Sequence, residues 1–520
     1  MARTTTRPRA ATTTRQKTTT RRKTATGRKT ATRSKTATGP SARAKQATEI
    51  ATWEDDPGEP SQPSPATITA PVPNLSAQPL PSRIAGTAPP ASLYPTGSAP
   101  FRYYAAAAAL RRTADFWGSV VDGPISWQIG KVLPVVLDDG VDLNAFYTRG
   151  GFGDGPGLHF FHEAVSGRTF FSGESPDVVC HEMGHAVLDA LRPQLFDAQT
   201  IEAAAFHESF GDMSAILSAL QVETFRQEVL SETGGVLNRS SRLSRLAEQL
   251  GAAIRVQHPD AVDSDCLRNA ANSFFYRDPQ TLPPSAPANQ LSSEPHSFSR
   301  VFTAAFLDVL AAMFKSASPN GTADDLAATA SDAARLLVRS IAAAPVVPDY
   351  FSQVAAHMVD AGEQAPFNGK YREVLKAAFV RRGVISLHGA TAVTAPKPRT
   401  RRPVAAFAQV EPSAELPMAT ISASQFGLAE MTLKVFTPEE PKQFAVTSSS
   451  LQLGPVEPRS PQNAAEAFTE DLFQRGRVDL ADHGHPQAGF MHPFTKKTHV
   501  IVRESGSLVL RRRTFDCGFD

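Results

Sequence analysis

SPDVVCHEMGHAVLDALRPQLFDAQTIEAAAFHESFGDMSAILSAL, residues 175–220, holds His181-Glu182-Met183-Gly184-His185 and, twenty-three residues after the second histidine, Glu208 followed by Asp212. On an α-helix, positions i and i+4 lie on one face. His181 and His185 can therefore aim both imidazoles at one metal ion. Glu182, one residue round the helix, can reach a water on that ion without ligating it. Ser175 is a good N-cap, Pro176 suits the first helical position, Asp177 faces the positive end of the dipole, and Pro193 marks a stop. These signals predict one helix from Ser175 towards Pro193. A second is predicted from about Thr200 to Leu220, with Glu208 and Asp212 sharing a face.

Two histidines and a glutamate form a known catalytic zinc set whose fourth position stays open to water. Asp212 can then accept the second ring N–H of a ligand histidine and fix its tautomer. The plain alternative is a chance match on a buried structural helix. Two features favour the metal. Gly184 costs about 1 kcal/mol relative to Ala inside a helix, which a purely structural helix would avoid. The second is the acidic pair on the following helical pattern. Cys180 abuts His181, but its apolar neighbours suit a buried structural thiol better than a fourth ligand.

The chain of 520 residues, 41% hydrophobic, has room for several domains and a sizeable core. Its net charge of +2 conceals an asymmetry: residues 1–50 carry fourteen Lys or Arg and one acid, Glu49. The basic character belongs to a tail and the body is mildly acidic. Three cysteines, Cys180, Cys266 and Cys517, are too few for a disulfide framework and fit a reducing compartment. No stretch has the roughly 18 consecutive apolar residues of a membrane span. The N-terminus lacks the apolar core of an ordinary secretory signal, which favours the cytoplasm.

Residues 1–49 contain no Val, Ile, Leu, Phe, Tyr or Trp, and Lys-Thr-Ala-Thr recurs from 23, 29 and 35. Such a segment cannot bury enough apolar surface to offset chain entropy, so residues 1–50 are expected to be a disordered basic tail. It can hold a polyanion, nucleic acid or an anionic surface, weakly and with strong salt dependence. An organelle-targeting segment and a merely solvated tail have the same composition. Residues 51–100, with twelve prolines from position 57 on, read as an extended linker. A buried helix begins near Phe101. Short β-rich runs around 131–139, 143–155 and 157–163 predict hairpins leading into the metal helix. The run through Asn144, Ala145, Phe146 and Tyr147 is either an ordinary hairpin strand or an edge that pairs with an extended peptide. His296 precedes a strongly apolar helix and by itself reads as a capping or core histidine. Helical patterns follow near 323–343, 347–361 and 369–382. The unit closes near Val384, 385–417 reads as a second linker, and 418–520 as a small β-containing domain of unassigned role with a hairpin at Ser505-Gly506.

Taken together, HEMGHAV, FHESFGDM, LNAFY with GGFGDG, CLRNAA…YRDP and EPHSFSRVF resemble, in order, motifs of the thermolysin-like neutral metallopeptidases, the gluzincins. The resemblance spans residues 101–384. It implies an α+β, two-lobed unit, β-rich then helical, with zinc in the cleft. His181, His185 and Glu208 become the zinc ligands, Glu182 the general base and Asp212 the group behind a ligand histidine. Asn144, Ala145 and Arg268 become substrate contacts, and His296 becomes the catalytic residue that steadies the transition state.

Three positions depart from the family pattern. Phe196 stands where a tyrosine usually donates to the developing oxyanion, eleven residues after His185. Leu291 replaces the acid that usually orients the catalytic histidine, and Glu294 is the nearest substitute. Asp177 matches one calcium ligand, but Ala219 falls where a second acid is expected, which argues against a double Ca2+ site. The expectation is therefore a slow zinc endopeptidase acting on a protein or peptide. The alternatives are a zinc-bearing pseudopeptidase and a polyanion-tethered peptide-binding protein.

Overall fold

Proline and hydroxyl caps set where the main helices begin, and their apolar faces set how they stack. The computed structural model describes residues 48–58, 66–317, 321–386, 415–441, 459–484 and 496–517. Strands β1 (Glu49–Trp53) and β2 (Thr67–Pro71) pair antiparallel, and β3 (Ser82–Ile84) follows. Helix α1 (Ala99–Val120) is capped by Ser98, whose side chain accepts from Phe101 N. Next come β4 (Leu133–Val136), β5 (Ala145–Thr148) and β6 (Gly157–Phe160), then the antiparallel pair β7 (His162–Val165) and β8 (Arg168–Phe171).

The metal-motif helix is α2 (Pro176–Leu191), with the Ser175 side chain accepting from Val178 N as the sequence predicts. After the single turn α3 (Gln194–Asp197), α4 (Ile201–Ala219) is capped by Thr200, and every one of its residues is buried. Two glycines let α2 and α4 approach closely. A Cβ on Gly184 would lie 2.8 Å from Ser214 Cβ and 3.0 Å from Gly211 Cα. The helical cost of Gly184 thus has a packing reason. Trp117 of α1 donates to Ser214 Oγ at 3.0 Å and stacks on Phe210 at 4.8 Å, fastening α1 across the pair.

Helices α5 (Glu223–Thr233) and α6 (Glu248–Gln257) and the short antiparallel pair β9 (Arg245–Leu246) and β10 (Arg268–Asn269) lead to α7 (Pro295–Ala317). Among the described residues α7 is the one helix long and apolar enough to cross a membrane, but 83% of its apolar window is buried inside the fold. It is a core helix of this fold. Helices α8 (Ala323–Ala343), α9 (Tyr350–Glu363) and α10 (Arg372–Arg381) complete the helical part near the predicted positions.

The remaining elements are β11 (Met418–Ser422), β12 (Thr432–Phe436), α11 (Pro461–Gln474), β13 (Val478–Asp479), β14 (His499–Glu504), β15 (Ser507–Arg512) and β16 (Thr514–Asp516). One sheet runs β11-β12-β15-β14-β13; the other runs β16-β5-β6-β4-β3. The β14–β15 turn is the expected one: Ser505 and Gly506 both take positive φ, 47° and 80°, as a tight hairpin turn requires.

This α+β fold departs from the sequence reading in two places. Within 51–100, proline excludes helix but not strand. Trp53 of β1 packs edge-on against Phe101 with ring centroids 5.4 Å apart, and β3 pairs parallel with β4. The stretch is therefore part of the fold, not a linker. Residues 418–520 likewise do not form a separate domain. Leu433, Val435, Phe468 and Leu510 belong to the same hydrophobic core as the metal helices, and β16 joins the first sheet. Of the expected tail, residues 1–50, Glu49 and Ile50 belong to β1, while 1–47 and most of the second linker, 387–414, lie outside the described residues.

Candidate metal centre and cleft

The i, i+4 spacing on α2 and the close approach of α4 bring three ligand atoms together. His181 Nε2 and His185 Nε2 are 3.1 Å apart, His181 Nε2 is 3.4 Å from Glu208 Oε2, and His185 Nε2 is 3.7 Å from Glu208 Oε1. Ligands about 2.0–2.1 Å from a tetrahedral zinc ion are separated by about 3.3 Å. The donor set and its spacing therefore fit zinc. Two imidazole nitrogens facing each other at this distance can share a proton or a metal ion, and Glu208 Oε2 and His185 Nδ1 are buried without a hydrogen bond.

Asp212 lies one turn beyond Glu208 and accepts from His181 Nδ1 at 3.0 Å, leaving the Nε2 lone pair for a metal. Arg268, delivered by β10, donates to the same carboxylate oxygen at 2.9 Å. Burial alone would raise the Asp212 pKa, but Arg268 and His181 outweigh it and hold the carboxyl well below the usual range. Gly211 is part of this geometry, because a Cβ there would sit 2.5 Å from the His181 ring.

Glu182 is fully buried and neither carboxylate oxygen has a hydrogen-bond partner. Burial pushes its pKa up to about 8, against the pull of His181. Across the cleft His296 stands 3.2 Å from Glu208 Oε2 and bonds Glu294 Oε1 through Nδ1 at 2.8 Å. Glu294 thus fills the place that Leu291 leaves. Through Nε2, His296 reaches the carbonyl oxygen of Asp516 at 2.5 Å. With a carboxylate on one nitrogen and a carbonyl on the other, both nitrogens must donate, so the ring is an imidazolium. Burial opposes that charge, yet Glu208 and Glu294 hold the pKa up at about 9.

Asn144 and Ala145 are buried at the start of β5, with Asn144 Oδ1 accepting from Ala145 N at 2.9 Å. The sequence left open whether this is an ordinary hairpin strand or an edge for an extended peptide, and the edge is taken. β16 runs antiparallel along β5, pairing Thr514 with Thr148, Phe515 with Tyr147 and Asp516 with Phe146. Cys517 N then donates to Ala145 O at 2.9 Å. Phe515 stacks on His207 at 4.0 Å and on His185 at 5.1 Å, and meets Phe196 edge-on at 5.5 Å. Phe196 itself is buried, with the Arg149 guanidinium 4.2 Å from its ring centre.

Cys517 is the functional candidate that sequence reasoning missed. A ligand atom each from His181, Glu182 and Cys517 lie within 4.8 Å of one another, as do those of His181, His185 and Glu208. A lone cysteine so far downstream of the motif carries no local signal, and only the strand pairing places it. Burial, and then the Glu182 charge, push its thiol up to about 12. A cleft of about 790 Å3 opens beside it, lined by Arg268, His296, Arg300, Arg475, Arg477 and Cys517 among others. No protein-family model matches the chain, and no curated protein matches it significantly.

Proposed function

We propose that the chain is a zinc-dependent endopeptidase of the thermolysin-like kind, with a β-rich and a helical part on either side of the metal cleft. The observation that carries the reading is the convergence of His181, His185 and Glu208 at tetrahedral spacing beside the buried, unpartnered Glu182. Zinc held there supplies a Lewis acid for a carbonyl oxygen and lowers the pKa of water to about 7. Glu182 takes the proton from the attacking water and passes it to the leaving amine. The His296 imidazolium donates to the carbonyl oxygen as negative charge develops, with Glu294 fixing its ring. A donor of this sort typically contributes about 2.7–4 kcal/mol, and Phe196 offers no second hydroxyl donor, which makes the enzyme slow. Asp212 fixes the His181 tautomer and anchors Arg268 at the cleft wall. Once β16 leaves it, the edge of β5, through Ala145 O, would hold the substrate backbone as an added antiparallel strand.

Metal analysis and a peptide-library digest with and without chelator test this. One zinc per chain is expected, lost in His185→Ala and Glu208→Ala. Glu182→Gln should keep the metal and lose at least about 100-fold in turnover. Normal zinc content in both ligand variants overturns the site. A zinc-bearing peptide binder without turnover is the second reading, favoured by the filled β5 edge. Stoichiometric zinc with no cleavage of any library member, even once that edge is cleared, would select it.

A further inference from the structure

We propose that Thr514–Cys517 is a built-in pseudosubstrate and that Cys517 Sγ is an additional metal ligand, closing the position a water needs. The inference rests on the zinc reading above. The segment occupies the place of a substrate strand in every respect the site defines. It runs antiparallel on β5, its Asp516 carbonyl is held by His296 at 2.5 Å, and the next amide, Cys517 N, is held by Ala145 O at 2.9 Å. The Asp516–Cys517 peptide bond therefore lies where a scissile bond would lie.

Its side chains are held as firmly. The Asp516 carboxylate pairs with buried Arg477 at 3.3 Å, and Phe515 fills the space between His207, His185 and Phe196. The approach is pinned as well: Thr148 Oγ1 donates to Arg513 O at 2.8 Å, Arg513 Nε to Asp154 Oδ2 at 2.6 Å, and Arg512 Nε to Phe196 O at 3.0 Å.

A peptide lodged this way in a working hydrolase is cut unless the attacking water is kept out, and the thiol supplies the means. Cys517 Sγ lies within 4.8 Å of ligand atoms of both His181 and Glu182 but farther from the full His181–His185–Glu208 set, so ligation needs the sulfur to turn towards that set. Glu182 is fully buried beside the sulfur, with no hydrogen-bonding group next to its carboxylate but the thiol itself. On ligation the S–H bond breaks, its proton passes to Glu182 or to solvent, a zinc–sulfur bond forms and the water leaves. A thiolate is a strong zinc ligand with a bond of about 2.3 Å. The enzyme is then shut until β16 leaves the β5 edge or the sulfur is modified.

Full-length chain loaded with cobalt in place of zinc reads the sulfur directly. The expected result is one cobalt per chain with a near-ultraviolet thiolate-to-cobalt charge-transfer band, lost in Cys517→Ser while the metal stays bound. The zinc form should show a zinc–sulfur distance of about 2.3 Å by X-ray absorption. Peptide hydrolysis by Cys517→Ser should rise at least tenfold, with the zinc-loaded variant also cut after its own Asp516, and Cys517→Ala should behave alike. Bound metal without the band overturns the inference and leaves the zinc reading standing. An intact mass showing cleavage between Asp516 and Cys517 in the zinc-loaded wild-type chain also overturns it, since the segment is then a substrate. Absence of metal from wild type and both variants overturns the zinc reading and this inference with it.

Discussion

Gly211 gives the sharpest test of how the site is built, because the substitution replaces no ligand. A Cβ at position 211 would lie 2.5 Å, 2.6 Å and 2.7 Å from three atoms of the His181 ring. Ordinary contact begins near 3.4 Å, so in Gly211→Ala the ring must retreat by nearly an ångström or α2 and α4 must separate. Metal sites tolerate about 0.2 Å at each ligand distance. A ring shift of this size also breaks the 3.0 Å bond from His181 Nδ1 to Asp212. Loss of such an orienting partner alone typically lowers metal affinity 10- to 100-fold, and the displaced ligand adds to that. Global stability should change less. Overpacking costs about 1–3 kcal/mol, while replacing a helical glycine by alanine returns about 1 kcal/mol. The assay is zinc affinity by chelator competition, with thermal unfolding of the metal-free chain alongside. Zinc affinity within twofold of wild type in a folded Gly211→Ala protein would refute the claim that this close approach positions His181.

Glu294→Gln should lower kcat about tenfold with little change in KM, and move the alkaline limb of the kcat/KM profile to lower pH, because one of the two carboxylates sustaining the His296 imidazolium is lost. An unmoved limb would separate Glu294 from His296. Burial holds the carboxyls of Asp56 and Asp177 above the ordinary range in the folded chain, so they keep protons at a pH where the unfolded chain has lost them. The stability this confers is complete below about pH 4 and disappears as pH rises through the folded pKa, by about 1.4 kcal/mol per unit of separation. Asp177→Asn should therefore gain on wild type in thermal stability from pH 5 to 8, and a constant difference would count against the burial argument. Deleting residues 1–45 should leave hydrolysis and stability unchanged. Extending the deletion through Asp56 removes the Trp53–Glu174 bond at 3.2 Å and the Asp56 carboxylate on the Ser175 cap, and should lower the melting temperature by several degrees.

The sequence disclosed the site's local parts because their signals are local. Ser175 with Pro176 and Thr200 fixed two helix starts, and i, i+4 spacing fixed which side chains share a face. The convergence of Glu208 with the two histidines follows from the packing of α4 on α2, which Gly184 and Gly211 permit and which spacing along the chain does not state. What remained hidden depends on pairing between distant segments. Composition cannot distinguish a proline-rich linker from proline-interrupted strands, and β1 and β3 are strands because Trp53 and Ile84 found buried places. Similarly, the hairpin of β14 and β15 read as part of a separate region, yet Arg512 and Glu439 bond backbone groups at Phe196 and Val346. Nothing in TFDC announces that it pairs with AFYT.

That pairing also settles how the enzyme proposed here must be opened. A free β5 edge suits peptide capture but is a template for unwanted strand addition, and β16 covers it. Only Arg513 separates β15 from β16, so the covering strand is tethered to a fixed sheet. A short tether gives a local concentration in the millimolar range. A free peptide making the same backbone contacts must reach about that concentration to displace half of the strand. The zinc–thiolate bond raises the threshold further, since an ordinary peptide has no equivalent. Cys517→Ser removes that extra contribution while leaving the strand and its Phe515 and Asp516 contacts in place. The gain in activity should then come mainly as a lower apparent KM, at least tenfold, as expected when an internal competitor is weakened. A rise confined to kcat would instead mean that the sulfur acts on the chemistry of a substrate already bound, and that β16 does not compete for the β5 edge.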